Sequence, residues 1–85
     1  MKVDILYFAS VREAVGVERE TAELPEAVLT LGQLREWLAR RGGAWAQALD
    51  AGRAVRMARN QAMARTDESI AAGDEVAFFP PVTGG

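Results

Sequence analysis

The residues with the clearest chemical potential close the sequence, in "FFPPVTGG" at residues 78–85. Gly84 and Gly85 carry no side chains, so a carboxylate on Gly85 is sterically bare and can enter a narrow channel and be approached from several directions. Pro80 and Pro81 stiffen the stem, because each ring fixes φ and restricts the residue before it. Val82 and Thr83 then give way to the slender tip. Five residues beyond Pro80 extend on the order of 17 Å, enough to thread into another protein's active site while a folded body docks outside. Chance puts two glycines at a chain end in roughly one sequence in 200, so the stiff apolar stem sets this pair apart more than the glycines do. A carboxylate is a poor electrophile. Its use requires activation, most simply adenylation, after which a sulfur, nitrogen or oxygen nucleophile displaces AMP.

The rest of the composition places that activating chemistry elsewhere. The chain has 85 residues with no cysteine and no histidine, which removes thiol nucleophiles, imidazole bases, disulfides and the usual zinc ligand sets. No bound cofactor or metal is expected, and ATP is expected only as the co-substrate of a separate activating enzyme. The ten basic residues, all arginine except Lys2, are scattered among twelve acids for a net charge of −2. That pattern argues against a phosphate-binding face and so against nucleic acid. No apolar run approaches a membrane span, and Met1-Lys2 leads into strand-like sequence rather than a signal peptide. No membrane partner and a cytoplasmic location are the expectations.

The elements that must hold the tail follow from patterning. This length fits one domain, with a body over residues 1–80 and an extended tail over residues 81–85. "KVDILYFA" at residues 2–9 reads as a first strand, with Val3, Ile5 and Tyr7 on one face and Leu6 and Phe8 on the other. A strand apolar on both faces belongs in the middle of a sheet. A polar stretch with Gly16 follows. Residues 17–24, rich in acids and ended by Pro25, predict an exposed edge strand.

"TLGQLREWLARRGG" carries the clearest helix signal. Leu31, Leu34 and Leu38 share one stripe, Thr30 and Gln33 fit a capping box, Arg40 and Arg41 suit the negative end of the dipole, and Gly42-Gly43 supply a left-handed stop. A shorter helical piece at residues 44–50 turns Trp45 and Leu49 inward. Residues 53–58 and 62–64 predict short strands around Asn60, and "AAGDE" a tight turn into the last strand, "EVAFF". Val76 and Phe78 of that strand belong to the core. The fold class is α+β, a mixed sheet of four to five strands with one main helix. Because the first and last strands are apolar on both sides, the second face needs its own cover. Either the Trp45 segment and loops supply it, or a protein partner does.

"GDEVAFFPPVTGG" (residues 73–85) closely resembles the C-terminus of the small, sulfur-carrying subunits of molybdopterin synthase, which are ubiquitin-like β-grasp proteins. The resemblance extends to the opening "KVDILYFASVRE", the single capped helix and "NQ" at Asn60-Gln61; residues 53–70 are only generically similar. It implies that an E1-like adenylyltransferase adenylates Gly85, with Gly84 beside it, and that a persulfide donor converts it to a thiocarboxylate. It further implies that the tail inserts into a large catalytic subunit, in a heterotetramer. There the sulfur passes to a cyclic pyranopterin monophosphate, and two rounds build the dithiolene. Phe79 and the stem of Pro80, Pro81, Val82 and Thr83 would dock on that subunit, with Arg12 of "VRE" near the interface. The isolated domain would catalyse nothing. Sulfur carriage for thiamine synthesis or tRNA thiolation, a ubiquitin-like protein modifier, and a plain interaction module with an inert tail remain as other readings.

Overall fold

The computed structural model describes residues 1–81; Val82, Thr83, Gly84 and Gly85 lie outside the described residues. Chain order is β1 (Lys2–Tyr7), α1 (Ala9–Val15), β2 (Arg19–Glu23), α2 (Leu31–Ala39), α3 (Gly43–Leu49), β3 (Arg56–Arg59), β4 (Ala62–Ala64) and β5 (Glu75–Phe79). The strands form one sheet in the order β2-β1-β5-β3-β4. β1 and β5 run parallel at its centre, and the remaining pairs are antiparallel. The fold class is the α+β mixed sheet expected, with five strands. The edge position of β2 and the central position of β1 also agree.

Alternation along the strands explains the layering. Val3, Ile5 and Tyr7 of β1 and Val76 and Phe78 of β5 are all at most 1% exposed and pack with Leu31, Leu34 and Leu38 of α2. Burying one such side chain contributes roughly 2 kcal/mol, so this single layer holds the sheet and helices together. The capping box forms as read: Thr30 Oγ1 accepts from the Gln33 N–H at 3.2 Å, and Gln33 Oε1 accepts from the Thr30 N–H at 3.0 Å. The stop forms too, with Gly42 at φ 80° and Gly43 at φ 53°. Positive φ at both positions, which L side chains rarely adopt, lets the chain turn from α2 into α3.

One feature differs from the sequence reading, and another bears on an alternative that it left open. Residues 9–15 form α1 rather than an irregular polar stretch; only Val11 of this helix is buried, so it lacks the apolar stripe that periodicity detects. The other concerns the second face. Trp45 of α3 sets its ring edge-on to Tyr7 at a centroid distance of 5.3 Å, and Tyr7 belongs to the helix-covered face. The Trp45 segment therefore thickens the covered side, and among the described residues no helix covers the other face of the sheet.

Polar clusters pin the ends. Arg41 donates from Nη1 and Nη2 to the two Glu20 carboxylate oxygens at 2.9 and 2.8 Å, and Tyr7 Oη donates to the same carboxylate at 2.9 Å. The guanidinium also lies 4.4 Å from the Trp45 ring centroid, in cation–π range. Arg41 thus joins the helices to edge strand β2 rather than simply serving the helix dipole. Asp74 accepts from Arg59 Nε at 2.6 Å, Asn60 Nδ2 at 3.0 Å and the Ala71 N–H at 2.8 Å. This cluster fixes the β3–β4 turn to the start of β5. Burial works against the Asp74 charge, but those donors outweigh it and hold the carboxyl below its usual range.

Candidate functional site

The tail springs from the centre of the sheet. β5 is flanked by β1 on one side and β3 on the other, so its direction is fixed by ladders on both edges. Pro80 and Pro81 follow at once, half-buried, where the missing N–H ends the pairing. The Phe8 N–H still reaches the Phe78 carbonyl at 3.1 Å. Immediately after Phe8, Ala9 adopts φ 50°, a left-handed conformation rare for a residue with a Cβ, and the chain turns into α1. Phe79 therefore leaves the sheet beside Phe8, with a stiff stem beyond it.

Strand register assembles the open face in rows. Arg19, Leu6, Ala77, Ala58 and Met63 lie opposite one another across all five strands. Toward the tail comes Phe79 with Arg56 opposite and Phe8 beside it; away from the tail come Thr21, Asp4 and Glu75. Phe8 is 46% and Met63 56% exposed. Between the large side chains, Ala58 and Ala77 leave a depression of about 260 Å³ bordered by Leu6, Phe8 and Phe79. An apolar patch with a hollow centre, beside the end of β5 and Pro80-Pro81, suits docking of a protein surface that carries an apolar projection.

A second hollow, of about 370 Å³, lies at the foot of the tail, where Pro80 meets Ser10, Val11 and Ala14 of α1 and Ala48 of α3. Arg12 is exposed on α1, the helix packed against the end of β5. Among the described residues it makes no ion pair. No group of three or more His, Asp or Glu side chains among the described residues could hold a metal ion, and every buried side-chain nitrogen or oxygen has a hydrogen-bond partner.

The structure thus brings Phe79, Pro80, Pro81 and, on the adjoining helix, Arg12 to one end of the sheet. The predicted positions Val82, Thr83, Gly84 and Gly85 lie outside the described residues. Sequence reasoning placed Leu6 and Phe8 on the second face but missed Ala58, Ala77 and Met63. The period-2 pattern of "RMARNQAMA" carries that signal only once the strand pairing is known.

A five-stranded mixed sheet holding one main helix, with its last strand at the centre of the sheet, defines a ubiquitin-like β-grasp protein. The chain belongs to the ThiS family, which it matches over residues 5–85. It is 41% identical over 83 residues to the molybdopterin synthase sulfur carrier subunit of Haemophilus influenzae, covering 98% of this chain and 99% of that one. Identity to the Escherichia coli protein of the same name is 42% over 83 residues, again 98% and 99% covered. Among solved structures, the putative molybdopterin converting factor subunit 1 of Pyrococcus furiosus superposes with a TM-score of 0.79 at 31% identity, covering 96% of this chain and 99% of that chain. The Haloferax volcanii protein SAMP1 does so at 0.75 and 29%, with both chains fully covered.

Proposed function

We propose that this protein is the sulfur-carrier small subunit of a molybdopterin synthase, and that its open sheet face docks on a large catalytic subunit. The observation that carries the docking is the uncovered apolar face built from Leu6, Phe8, Ala77, Phe79 and Met63, which lies beside the tail's exit. The names of its relatives support the pathway. In this reading the Gly85 carboxylate attacks the α-phosphate of ATP on an E1-like adenylyltransferase, releasing pyrophosphate and forming an acyl adenylate. The outer sulfur of a persulfide donor then displaces AMP to give an acyl disulfide, and a second thiol cleaves its S–S bond, becoming disulfide-bonded to the donor and leaving a thiocarboxylate on Gly85. Inserted into the large subunit, the tail gives that sulfur to a cyclic pyranopterin monophosphate. Gly84 keeps the approach narrow, while Pro80, Pro81, Val82 and Thr83 hold the carboxylate away from the body. Arg12 borders the interface. The chain contributes a co-substrate rather than catalytic groups, in keeping with the lack of cysteine and histidine.

Mass spectrometry of the protein from its native host tests this. Fragmentation should place an oxygen-to-sulfur exchange on Gly85, distinct from oxidation of Met1, Met57 or Met63. The shift should disappear on mild hydrolysis. Adding one residue after Gly85 should abolish molybdopterin synthesis, because the reactive carboxylate is displaced; full synthesis by the extended protein would refute the assignment. A second reading, a protein modifier, has a specific observation in its favour: the small archaeal modifier protein 1 of Haloferax volcanii has a similar structure at 26% identity. Under that reading the terminus is unshifted and lysine-linked conjugates appear in extracts.

A further inference from the structure

The charges around the open sheet face are arranged by end. In the two rows nearest the tail, the ionisable side chains are both cations, Arg19 opposite Leu6 and Arg56 opposite Phe79. In the next row they are both acids, Asp4 and Glu75, directly opposite each other, and in the row beyond Lys2 stands opposite Glu23, so the far end is acidic on balance. Asp4 Oδ1 also accepts from Thr21 Oγ1 at 2.7 Å. Arg19 and Arg56 are exposed. Among the described residues neither makes an ion pair, whereas Arg41 and Arg59 each hold a carboxylate within 2.8 Å. With β1 and β5 between their strands, the backbones of the two residues stand about 14 Å apart across the sheet and one row apart along it, flanking Leu6 and Phe79.

We infer that Arg19 and Arg56 are orienting contacts that select a partner bearing carboxylates on both sides of its apolar docking surface, near the mouth that receives the tail. This rests on the docking proposed above and adds the chemistry of the partner's rim. An apolar patch alone fixes no rotation, because the hydrophobic effect has no direction. Two cations at the tail end, and three carboxylates against Lys2 at the far end, break that degeneracy. A partner docked the wrong way round would set its acids against Asp4 and Glu75, and like charges repel on contact. The correct orientation aims the tail at the partner's entrance. Exposed rim charges act mainly on the rate of productive encounter, and salt weakens them.

The test is association of the full-length protein with the molybdopterin synthase large subunit from the same organism, measured by stopped flow at roughly 50 mM and 500 mM salt, where the screening length differs about threefold. The variants are Arg19→Ala with Arg56→Ala, the pair Arg19→Lys with Arg56→Lys, and Arg65→Ala as a control. Arg65 is exposed in the loop after β4 and faces Asp67. The double alanine variant should associate roughly 10-fold more slowly at low salt, with little salt dependence left, while melting as the unaltered protein does. The lysine pair should recover most of the rate, since steering needs charge rather than a guanidinium fork. An unchanged rate and salt slope in the double alanine variant, with tight binding retained, would overturn the arginine assignment and leave the docking intact. Equal slowing by Arg65→Ala would also overturn it, by showing an effect of net charge alone. Failure of the unaltered protein to bind the large subunit would remove both the docking reading and the inference.

Discussion

Replacing Glu20 by alanine should loosen the join between edge strand β2 and the helices, and its cost can be worked from three hydrogen bonds. Two come from Arg41 and one from Tyr7 Oη. The Arg41 and Glu20 side chains are 31% and 22% exposed, so solvent screening holds the ion pair to about 1 kcal/mol. The Tyr7 hydroxyl belongs to a residue only 1% exposed, and loss of its acceptor adds about 1 kcal/mol. The sum, about 2 kcal/mol, corresponds to a Tm lower by roughly 10 °C for a domain of this size. The effect should depend on pH. Hydrogen bonds from Arg41 hold the Glu20 carboxyl below its ordinary value of 4.5 against the upward pull of burial, with Tyr7 assisting. A carboxyl depressed on folding stabilises the protein above its unfolded value and loses that contribution as pH falls through the folded one. Thermal melts of the unaltered protein and of Glu20→Ala should therefore differ most above about pH 4.5 and converge in stronger acid. A shift below about 2 °C at neutral pH, or a difference that persists unchanged into acid, would refute the account of this cluster.

Three further outcomes are expected. Phe79→Ala should leave the melting temperature within a few degrees, because the side chain lies on the open face, yet weaken binding to the large subunit at least 10-fold in a titration. Thr30→Ala removes the acceptor of the Gln33 N–H and should cost about 1 kcal/mol in chemical denaturation without changing the slope. Asp74→Ala strands the Ala71 N–H and Arg59 Nε. It should cost about 2 kcal/mol, lower than for a fully buried pair because the Arg59 side chain is 36% exposed, and amide exchange should accelerate first at the β3–β4 turn.

Local signals were legible where one segment contains its own explanation. The α2 cap, its leucine stripe and the glycine stop all lie within residues 30–43, and each appears as read. The same holds for β5, whose alternating Val76 and Phe78 can be assigned to the core without knowing their neighbours. α1 was not legible, because seven residues with a single buried side chain produce no period. Its place is set by Phe8 and Ala9 turning the chain after β1, and by packing against β5 and α3.

By itself the sequence determined the residue types available for chemistry: the Gly84-Gly85 pair behind a stiff pair of prolines, and no cysteine or histidine. It also determined that the first and last strands are apolar on both faces, since side chains alternate with period two whatever the partner strand. Only the tertiary structure decided what that surplus means. Trp45 packs on Tyr7, and among the described residues the three helices gather on one side and none covers the other. Pairing then carries Met63, from a three-residue edge strand, into the same row as Leu6, and sets Arg19 and Arg56 at the margins of the patch. The physical reason is that periodicity is a property of one strand, whereas a surface belongs to several strands at once, and its composition depends on a register that tertiary packing selects.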